Sequence, residues 1–319
     1  MSANSVNDTA RVVETLSDEE LLAWLRLAFV FRGRAREAVQ LVAAFGLPET
    51  IFELPRATVK DRIGRKAASE LFSAEAEAAA EKALAWLRRT PTADVVLVTD
   101  PFYPKELIAS GTSDVLLFIR GRRETLVRPR VTLLISAKAD AEGRRNLKDF
   151  AAALAENGVT AVLAGETEAE LEGITAASQT PGGVIIAATA GPDRVPSALC
   201  LPVWKKAEQT GLILTGHFPG TSATDVGYEA RDYLLAAMCR GLLVVEAERR
   251  DPLLDIMRRA AELGRDAAAL PGSIHSPLYG GLLPRSRIRC DDPYYDGGRG
   301  SLQDGRQGFG ESGVARGVR

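Results

Sequence analysis

The stretch VTLLISAKADAEGRRNLKDFAAALAENGVTAVLA, residues 131–164, decides the fold class. It begins and ends with short apolar runs, VTLLIS and VTAVLA, and the segment between them has the apolar spacing of an amphipathic helix. Two parallel strands need such a crossover, because the chain has to return to the same end of the sheet before the second strand can start. The stretch therefore predicts a βαβ unit.

The same alternation of strand and helix continues on both sides of this unit. Further apolar runs are predicted to be strands at residues 94–99, 114–121, 184–189, 212–216, 242–247 and 267–270. Most of them are apolar throughout, as strands covered on both faces are. The sequence thus predicts an α/β protein with a Rossmann-like, doubly wound and mostly parallel sheet, whose ligands would bind at the carboxyl ends of the strands.

The chain divides into four predicted parts. Residues 1–16 are polar and are predicted to be disordered. A small helical N-terminal domain is expected over residues 17–90, because Ser17 and Glu20 form a capping-box pattern before an amphipathic run. Residues 91–290 carry the strands. Residues 291–319 are rich in Gly and Arg and poor in aliphatic side chains, so a disordered tail is expected there.

Composition limits the function classes only broadly. The chain has 319 residues, 46% of them hydrophobic, and a formal net charge of −2, which is ordinary for a globular protein and neither indicates nor excludes a nucleic-acid partner. The N-terminus has no signal-peptide pattern, and no apolar run reaches the roughly 20 residues of a membrane span. We expect a cytoplasmic protein whose three widely spaced cysteines are reduced thiols.

Several familiar catalytic and cofactor motifs are missing. No GxGxxG follows a strand and no GxxxxGK[ST] occurs, which argues against a nicotinamide-dependent oxidoreductase and against a P-loop ATPase. The two histidines, His217 and His275, are too few for a zinc site, so no metal is expected and both are interpreted as loop or surface residues. Ser273 lies two residues before His275 and is interpreted as part of a turn, not as a nucleophile. No cofactor is predicted.

Basic residues gather after two of the predicted strands. This placement fits either an anion-binding rim or two solvated helix faces, and the sequence leaves both interpretations open. The residues are Lys138, Arg144, Arg145 and Lys148 after the strand at 131–136, and Arg249, Arg250, Arg258, Arg259 and Arg265 after the strand at 242–247.

Four blocks resemble, in order and spacing, those of the DNA-processing protein A (DprA, also called Smf) family. They are TDPFYPKEL at 99–107, GHFPGTSATD at 216–225, RGLLVVEAERR at 240–250 and ELGRDAAALPGSIHSPLYGG at 262–281. The resemblance implies a Rossmann-like fold that binds single-stranded DNA without catalysing a reaction. It also implies a homodimer and a RecA-type recombinase as a partner, which family members load onto incoming strands during natural transformation.

The chain departs from the family pattern at several anion-contacting positions. The family's Gly-Ser-Arg is replaced by a segment that keeps Ser136 and offers Lys138 one position late, and its Arg-Asn-Arg keeps only Arg231. Its Ser-Gly-Ser-Leu-Ile-Thr is replaced by residues 251–256, which bring in two carboxylates. The residues predicted to contact DNA phosphates are Ser136, Lys138, Gly165, Arg231, Arg249, Arg250, Gly272 and Ser273.

Two other functions stay open at the level of sequence. The first is a nucleotide-binding or nucleotide-cleaving enzyme in the same pocket, similar to the lysine-decarboxylase-like (LOG) phosphoribohydrolases, with Glu166 or Asp251 as the acid or base. The second is a scaffold that acts only through partner proteins. Single-stranded DNA binding is the preferred hypothesis.

Overall fold

The predicted sheet is present with all of its strands. A computed structural model describes residues 12–270, apart from residues 112 and 249. Within these residues the strands form one sheet of order β1-β2-β6-β5-β4-β3-β7-β8. The strands are β1 (Ala93–Leu97), β2 (Leu116–Gly121), β3 (Arg130–Ile135), β4 (Thr160–Leu163), β5 (Val184–Ala187), β6 (Leu212–Thr215), β7 (Gly241–Glu246) and β8 (Asp266–Ala269).

The sheet is mostly parallel, as predicted, and it is doubly wound. All neighbours from β6 through β8 in the sheet order pair in parallel, whereas β2 runs antiparallel to both β1 and β6. After β3 the chain adds β4, β5 and β6 on one side, and then returns to place β7 and β8 on the other side. The topological switch point therefore lies between β3 and β7, where such sheets form a crevice for ligands.

Helices cover both faces of the sheet. Side chains of β3 alternate between two cores, with Leu133 and Ile135 facing one and Leu134 facing the other. The first core holds α8 (Ala141–Glu156), α9 (Glu168–Ala177) and α10 (Leu201–Thr210), and the second holds α11 (Asp225–Ala237) and α12 (Leu253–Glu262). Strands covered in this way have to be apolar on both sides, which is why their sequences do not alternate.

The helical N-terminal part shares the second core. Its helices are α1 (Val12–Thr15), α2 (Asp18–Val30), α3 (Ala35–Phe45), α4 (Pro48–Glu53), α5 (Arg56–Leu71) and α6 (Ala74–Arg89), and a further short helix, α7 (Lys105–Ala109), follows β1. The rings of Trp86 and Phe118 meet edge to face with their centroids 6.3 Å apart. The helical part thus packs directly on β2.

The N-terminal capping box has the predicted geometry. The Glu20 amide donates to the Ser17 hydroxyl at 3.2 Å, and the Ser17 amide donates to the Glu20 carboxylate at 2.7 Å.

The structure differs from the expectation of disorder for residues 1–16 at the end of that segment, because α1 forms there. Val12 is buried and its amide donates to Asp94 of β1 at 3.1 Å, so this turn is held by the sheet. The predicted tail at 291–319 lies outside the described residues.

Candidate functional site

The loop after β3 lies at the switch point and carries two of the predicted contact residues. Ser136 is buried, and its amide donates to the main-chain oxygen of Glu246 on β7 at 2.8 Å. Lys138 is exposed, and its ammonium group lies 3.1 Å from both carboxylate oxygens of Glu248. The structure therefore brings the loops after β3 and β7 together, but it also places a carboxylate beside the lysine.

The N-terminus of α8, which begins at this crevice, is occupied by the chain's own carboxylates. Asp140 accepts hydrogen bonds from the amides of Glu142 and Gly143 at 2.8 and 2.9 Å. Glu246 accepts from the amide of Asp140 at 3.2 Å and packs so closely on Gly143 that a Cβ there would lie 1.7 Å from Oε2. A helix N-terminus attracts anions. Here two side-chain carboxylates take the place that a phosphate would occupy.

The loop after β4 is also held from within. Gly165 adopts a left-handed conformation with φ of 74°, and its carbonyl oxygen accepts from the indole of Trp204 at 2.8 Å. The carboxylate of Glu170 accepts from three amides of this loop at 3.0–3.3 Å, those of Ala164, Glu166 and Thr167. Three amides in the loop of the predicted contact residue Gly165 are therefore bound to Glu170.

Arg231 on α11 faces the same loop. Its guanidinium forms ion pairs with Glu166 at 2.9 Å and with Asp232 at 2.5 Å, and it lies over the ring of Tyr228 at 5.0 Å. Burial alone would lower the pKa of Arg231, but the carboxylates of Asp232 and Glu166 raise it above its ordinary value. Arg231 is therefore charged and engaged by two carboxylates of its own chain.

The remaining predicted contact residues follow β7 and β8. Arg250 is exposed in the loop after β7. Nearby, Asp251 accepts from the amide of Leu253 at 3.1 Å and so helps to start α12. Arg249, Gly272 and Ser273 lie outside the described residues.

Within the described part of the chain, no group of three or more His, Cys, Asp and Glu side chains is arranged to hold a metal ion.

A cavity of about 620 Å³ lies between the helical N-terminal part and the sheet, and it was not predicted from the sequence. We call it the interdomain cavity. It is bounded by the turn between α2 and α3, the loops before β2 and after β6, and helices α11 and α12. Its polar lining includes Arg32, Asp114, His217 and Arg259, and its apolar walls include Leu107, Val226, Tyr233, Leu234 and Leu263.

Asp114 connects the two parts of the molecule at this cavity. Its carboxylate accepts from the amide of Gly33 at 2.8 Å, and its main-chain oxygen accepts from the hydroxyl of Tyr103 at 2.8 Å. Burial raises the pKa of Asp114, against the opposing effects of the Gly33 amide and the Arg32 charge. Asp114 is thus a largely buried carboxylate at the boundary of the two domains.

His217 lies in a loop, which agrees with its interpretation as a loop or surface residue, but its side chain is only partly exposed. It follows β6 and lines the interdomain cavity, and its buried Nε2 atom has no well-formed hydrogen bond in the described part of the chain. Burial and the charge of Arg32 lower the pKa of His217, against a weaker contact with the Gly227 main chain. No local pattern could have revealed this group, because its members come from residues 32, 114 and 217.

Comparison with known proteins decides the family. A family model described as DNA recombination-mediator protein A matches residues 94–284, which include nearly all of the sheet. The chain belongs to this family. The resemblance seen in the sequence blocks is thereby confirmed, and the DprA-type sheet extends over β1 to β8.

Curated relatives carry the same family names. The chain is 29% identical to DNA processing protein DprA of Streptococcus pneumoniae over 184 residues, which cover 58% of this chain and 65% of that protein. It is 27% identical to protein Smf of Escherichia coli over 67% of this chain and 58% of that protein. A putative DprA of Mycobacterium tuberculosis is 31% identical over 54% and 44%. The chain thus spans less than two thirds of the length of these relatives.

Solved structures support the fold. The X-ray structure of DprA from Streptococcus pneumoniae matches with a TM-score of 0.67 and 23% identity, over 83% of this chain and 90% of that chain. DNA processing protein A from Helicobacter pylori, whose single-stranded DNA binding mode has been described structurally, matches with a TM-score of 0.51 and 16% identity, over 58% and 83%. Among the described residues, no helix has the length and apolarity that crossing a bilayer requires.

Proposed function

We propose that the chain binds single-stranded DNA at the carboxyl ends of its parallel strands and catalyses no reaction. The observation that carries this proposal is the family match over residues 94–284, because it spans both sides of the switch point at β3 and β7. The described single-stranded DNA binding mode of the Helicobacter pylori relative supports the choice of ligand. In doubly wound sheets, this edge is the place where ligands bind.

The exposed cations of the switch point would hold the phosphates. Lys138, with 72% of its side chain exposed, follows β3, and the exposed Arg250 follows β7. Glu246, Glu248 and Asp140 lie in the same region and oppose a bound anion. We therefore propose a site that binds strands through few phosphate contacts, with strong dependence on salt. Ser136, Gly165, Arg249, Gly272 and Ser273 remain part of this proposal as contact residues.

The cellular role and partners belong to the same proposal. We propose that the protein acts in DNA uptake and recombination, including natural transformation, as a homodimer in the cytoplasm that assists a RecA-type recombinase. Family membership supports this role. The geometry does not favour a nucleotide-cleaving activity, because both candidate acid or base residues have structural roles. Glu166 accepts from the Thr189 hydroxyl and pairs with Arg231, and Asp251 accepts from the amide of Leu253 at the start of α12.

Binding can be tested by fluorescence anisotropy with labelled single-stranded and double-stranded oligonucleotides of the same sequence. We expect single strands to be preferred, with affinity falling steeply between about 50 and 200 mM salt. The double variant Lys138→Ala/Arg250→Ala should bind more weakly. A plot of log affinity against log salt concentration should also be less steep by about 1.4, since each single-strand phosphate contact contributes roughly 0.7 to the slope.

The matched control removes two exposed cations from α5, which packs on α2, α3 and α6 of the helical N-terminal part, in the variant Lys60→Ala/Arg62→Ala. This variant should keep the wild-type affinity and slope. Absence of single-strand binding at about 50 mM salt would refute the proposed function, because electrostatic attraction to phosphates is strongest there.

A further inference from the structure

The interdomain cavity has the size and the walls of a nucleotide site. Its volume of about 620 Å³ lies within the roughly 300–1,000 Å³ of small-molecule sites. Leu107, Leu234 and Leu263 make its sides apolar, and Tyr233 adds an aromatic ring. A flat, largely apolar group such as a nucleobase would replace water along these walls.

The polar end of the cavity carries a carboxylate that is not paired. Asp114 uses Oδ1 to accept from the amide of Gly33, and no described residue donates to Oδ2 or places a cation within ion-pair distance. Gly216 makes room for this carboxylate, since a Cβ at that position would lie 2.2 Å from Oδ2. An ionised carboxylate has about four acceptor sites. Asp114 therefore has acceptor capacity left for a ligand in the cavity.

His217 adds a second unfilled hydrogen-bonding position. Its Nε2 atom is buried without a well-formed hydrogen bond in the described part of the chain. Buried polar groups are nearly always satisfied, and an exception in a native structure points to a missing partner. Asp114 and His217 line the same cavity, so one ligand could satisfy both.

Two arginines lie at the edge of the cavity on aromatic rings. The guanidinium of Arg32 lies 4.7 Å from the ring centre of Phe29 and 5.4 Å from that of Phe218, and none of the described carboxylates forms an ion pair with it. The guanidinium of Arg259 lies 6.0 Å from the ring centre of Tyr233. Both residues are exposed, and both are suited to a phosphate.

We propose that the interdomain cavity binds one unstacked guanine of the DNA strand, with Asp114 accepting from the N1–H and the 2-amino group and with Arg32 and Arg259 on the adjoining phosphates. This inference rests on the proposed function, because it assigns a base position to the bound strand. Guanine is selected because it presents two neighbouring donor groups to a carboxylate, whereas adenine, cytosine and thymine present only one donor group on that edge.

The test uses three oligonucleotides of about 20 nucleotides, somewhat longer than the roughly 4–16 nucleotides that one single-strand-binding domain covers. The first contains only thymidine, the second has one central guanine, and the third has hypoxanthine in place of that guanine and so lacks the 2-amino group. The wild-type protein should bind the guanine strand at least about fivefold more tightly than the thymidine strand, which is the lower end of what a bidentate base contact gives. The hypoxanthine strand should lose most of this preference.

Two matched variants locate the effect. In Asp114→Asn, the amide oxygen can still accept from Gly33, but the NH₂ group faces the guanine donors, so the preference for guanine should disappear. The thymidine strand should be bound at least as tightly as by the wild-type protein, because the variant removes a negative charge. Asp193 also accepts from a glycine amide, that of Gly220 at 2.7 Å, and it lies outside the cavity lining. Asp193→Asn should therefore keep the preference.

The possible failures are distinguishable. Equal affinity of the wild-type protein for all three strands would overturn the guanine site and leave single-strand binding in place. If no strand binds at low salt, the proposed function fails, and calorimetry with guanosine and thymidine 5′-monophosphates then tests the cavity alone. Guanosine monophosphate binding that Asp114→Asn abolishes would support the site, and absence of binding would overturn it.

Discussion

Arg231 of α11 and Glu166 of the loop after β4, which are 65 residues apart in the sequence, form an ion pair with 2.9 Å between Nη1 and Oε2. The same guanidinium donates to Asp232 through Nε at 2.9 Å. One cation is therefore surrounded by two carboxylates, and its hydrogen-bonding groups are largely used inside the protein. This relationship changes the role expected for Arg231, because the side chain neutralises Glu166 at the carboxyl edge instead of presenting a free charge.

Replacement of Arg231 should weaken strand binding through Glu166. In Arg231→Ala, two unneutralised carboxylates repel the phosphates, and we expect affinity to fall about fivefold, from roughly 1 kcal/mol per charge pair at 4 Å in water. The additional change Glu166→Gln should recover much of this loss. Anisotropy titrations of the single and double variants measure the effect. A loss that Glu166→Gln does not rescue, with a salt slope reduced by about 0.7, would instead indicate a direct phosphate contact.

Removal of the charge of Glu246 should strengthen binding. Its carboxylate lies at the N-terminus of α8 beside Asp140, where it repels an incoming phosphate. Glu246→Gln keeps an oxygen that can accept from the Asp140 amide, and we expect about fivefold tighter binding of single strands at low salt, again from roughly 1 kcal/mol of removed repulsion. The control Glu156→Gln removes an exposed carboxylate from the opposite end of α8 and should have no effect. Unchanged affinity of Glu246→Gln would place the bound strand elsewhere.

The fold could be predicted because its signals are local. Strands such as Val184–Ala187 are apolar throughout and are separated by helical patterns, so the alternation is visible within short windows. The capping box at Ser17 and Glu20 depends on residues three positions apart. Boundaries that depend on packing are less visible in the sequence. The helical pattern VPSALCLPVWKKAEQTG starts at residue 195, but α10 begins only at Leu201, where Pro202 fits the first turn.

The site could be predicted only in part, because its electrostatics are tertiary. The sequence shows that Lys138 follows a strand, and the family resemblance points to Arg231. It does not show that Glu248 and Glu166 lie beside them, since these partners are 110 and 65 residues away. A count of cations near strand ends therefore overestimates the positive charge that is available to a phosphate.

Arg123 should stabilise the fold strongly. Its side chain is only 8% exposed and pairs with Asp94 at 3.6 Å and with Asp100 at 2.6 Å. Arg123→Ala leaves two buried carboxylates without this partner, so we expect the free energy of unfolding to fall by about 3–5 kcal/mol, as measured by urea denaturation. The exposed ion pair of Arg88 with Asp18 is the control, and Arg88→Ala should cost less than about 1 kcal/mol. Similar losses for the two variants would contradict this assignment.

The position of His217 predicts a dependence of stability on pH. Its pKa in the folded protein is lowered from the ordinary 6.5, so the unfolded chain takes up a proton below that pH while the folded chain resists it. Stability from this residue is therefore complete above about pH 6.5 and decreases as the pH falls through that value. The free energy of unfolding should decrease between about pH 7.5 and 5.5, and it should decrease less in His217→Gln.

The chain has only one other histidine, so His275→Gln is the matched control and should retain the wild-type slope. If His217→Gln and the wild-type protein lose equal stability over this range, His217 is not the group responsible.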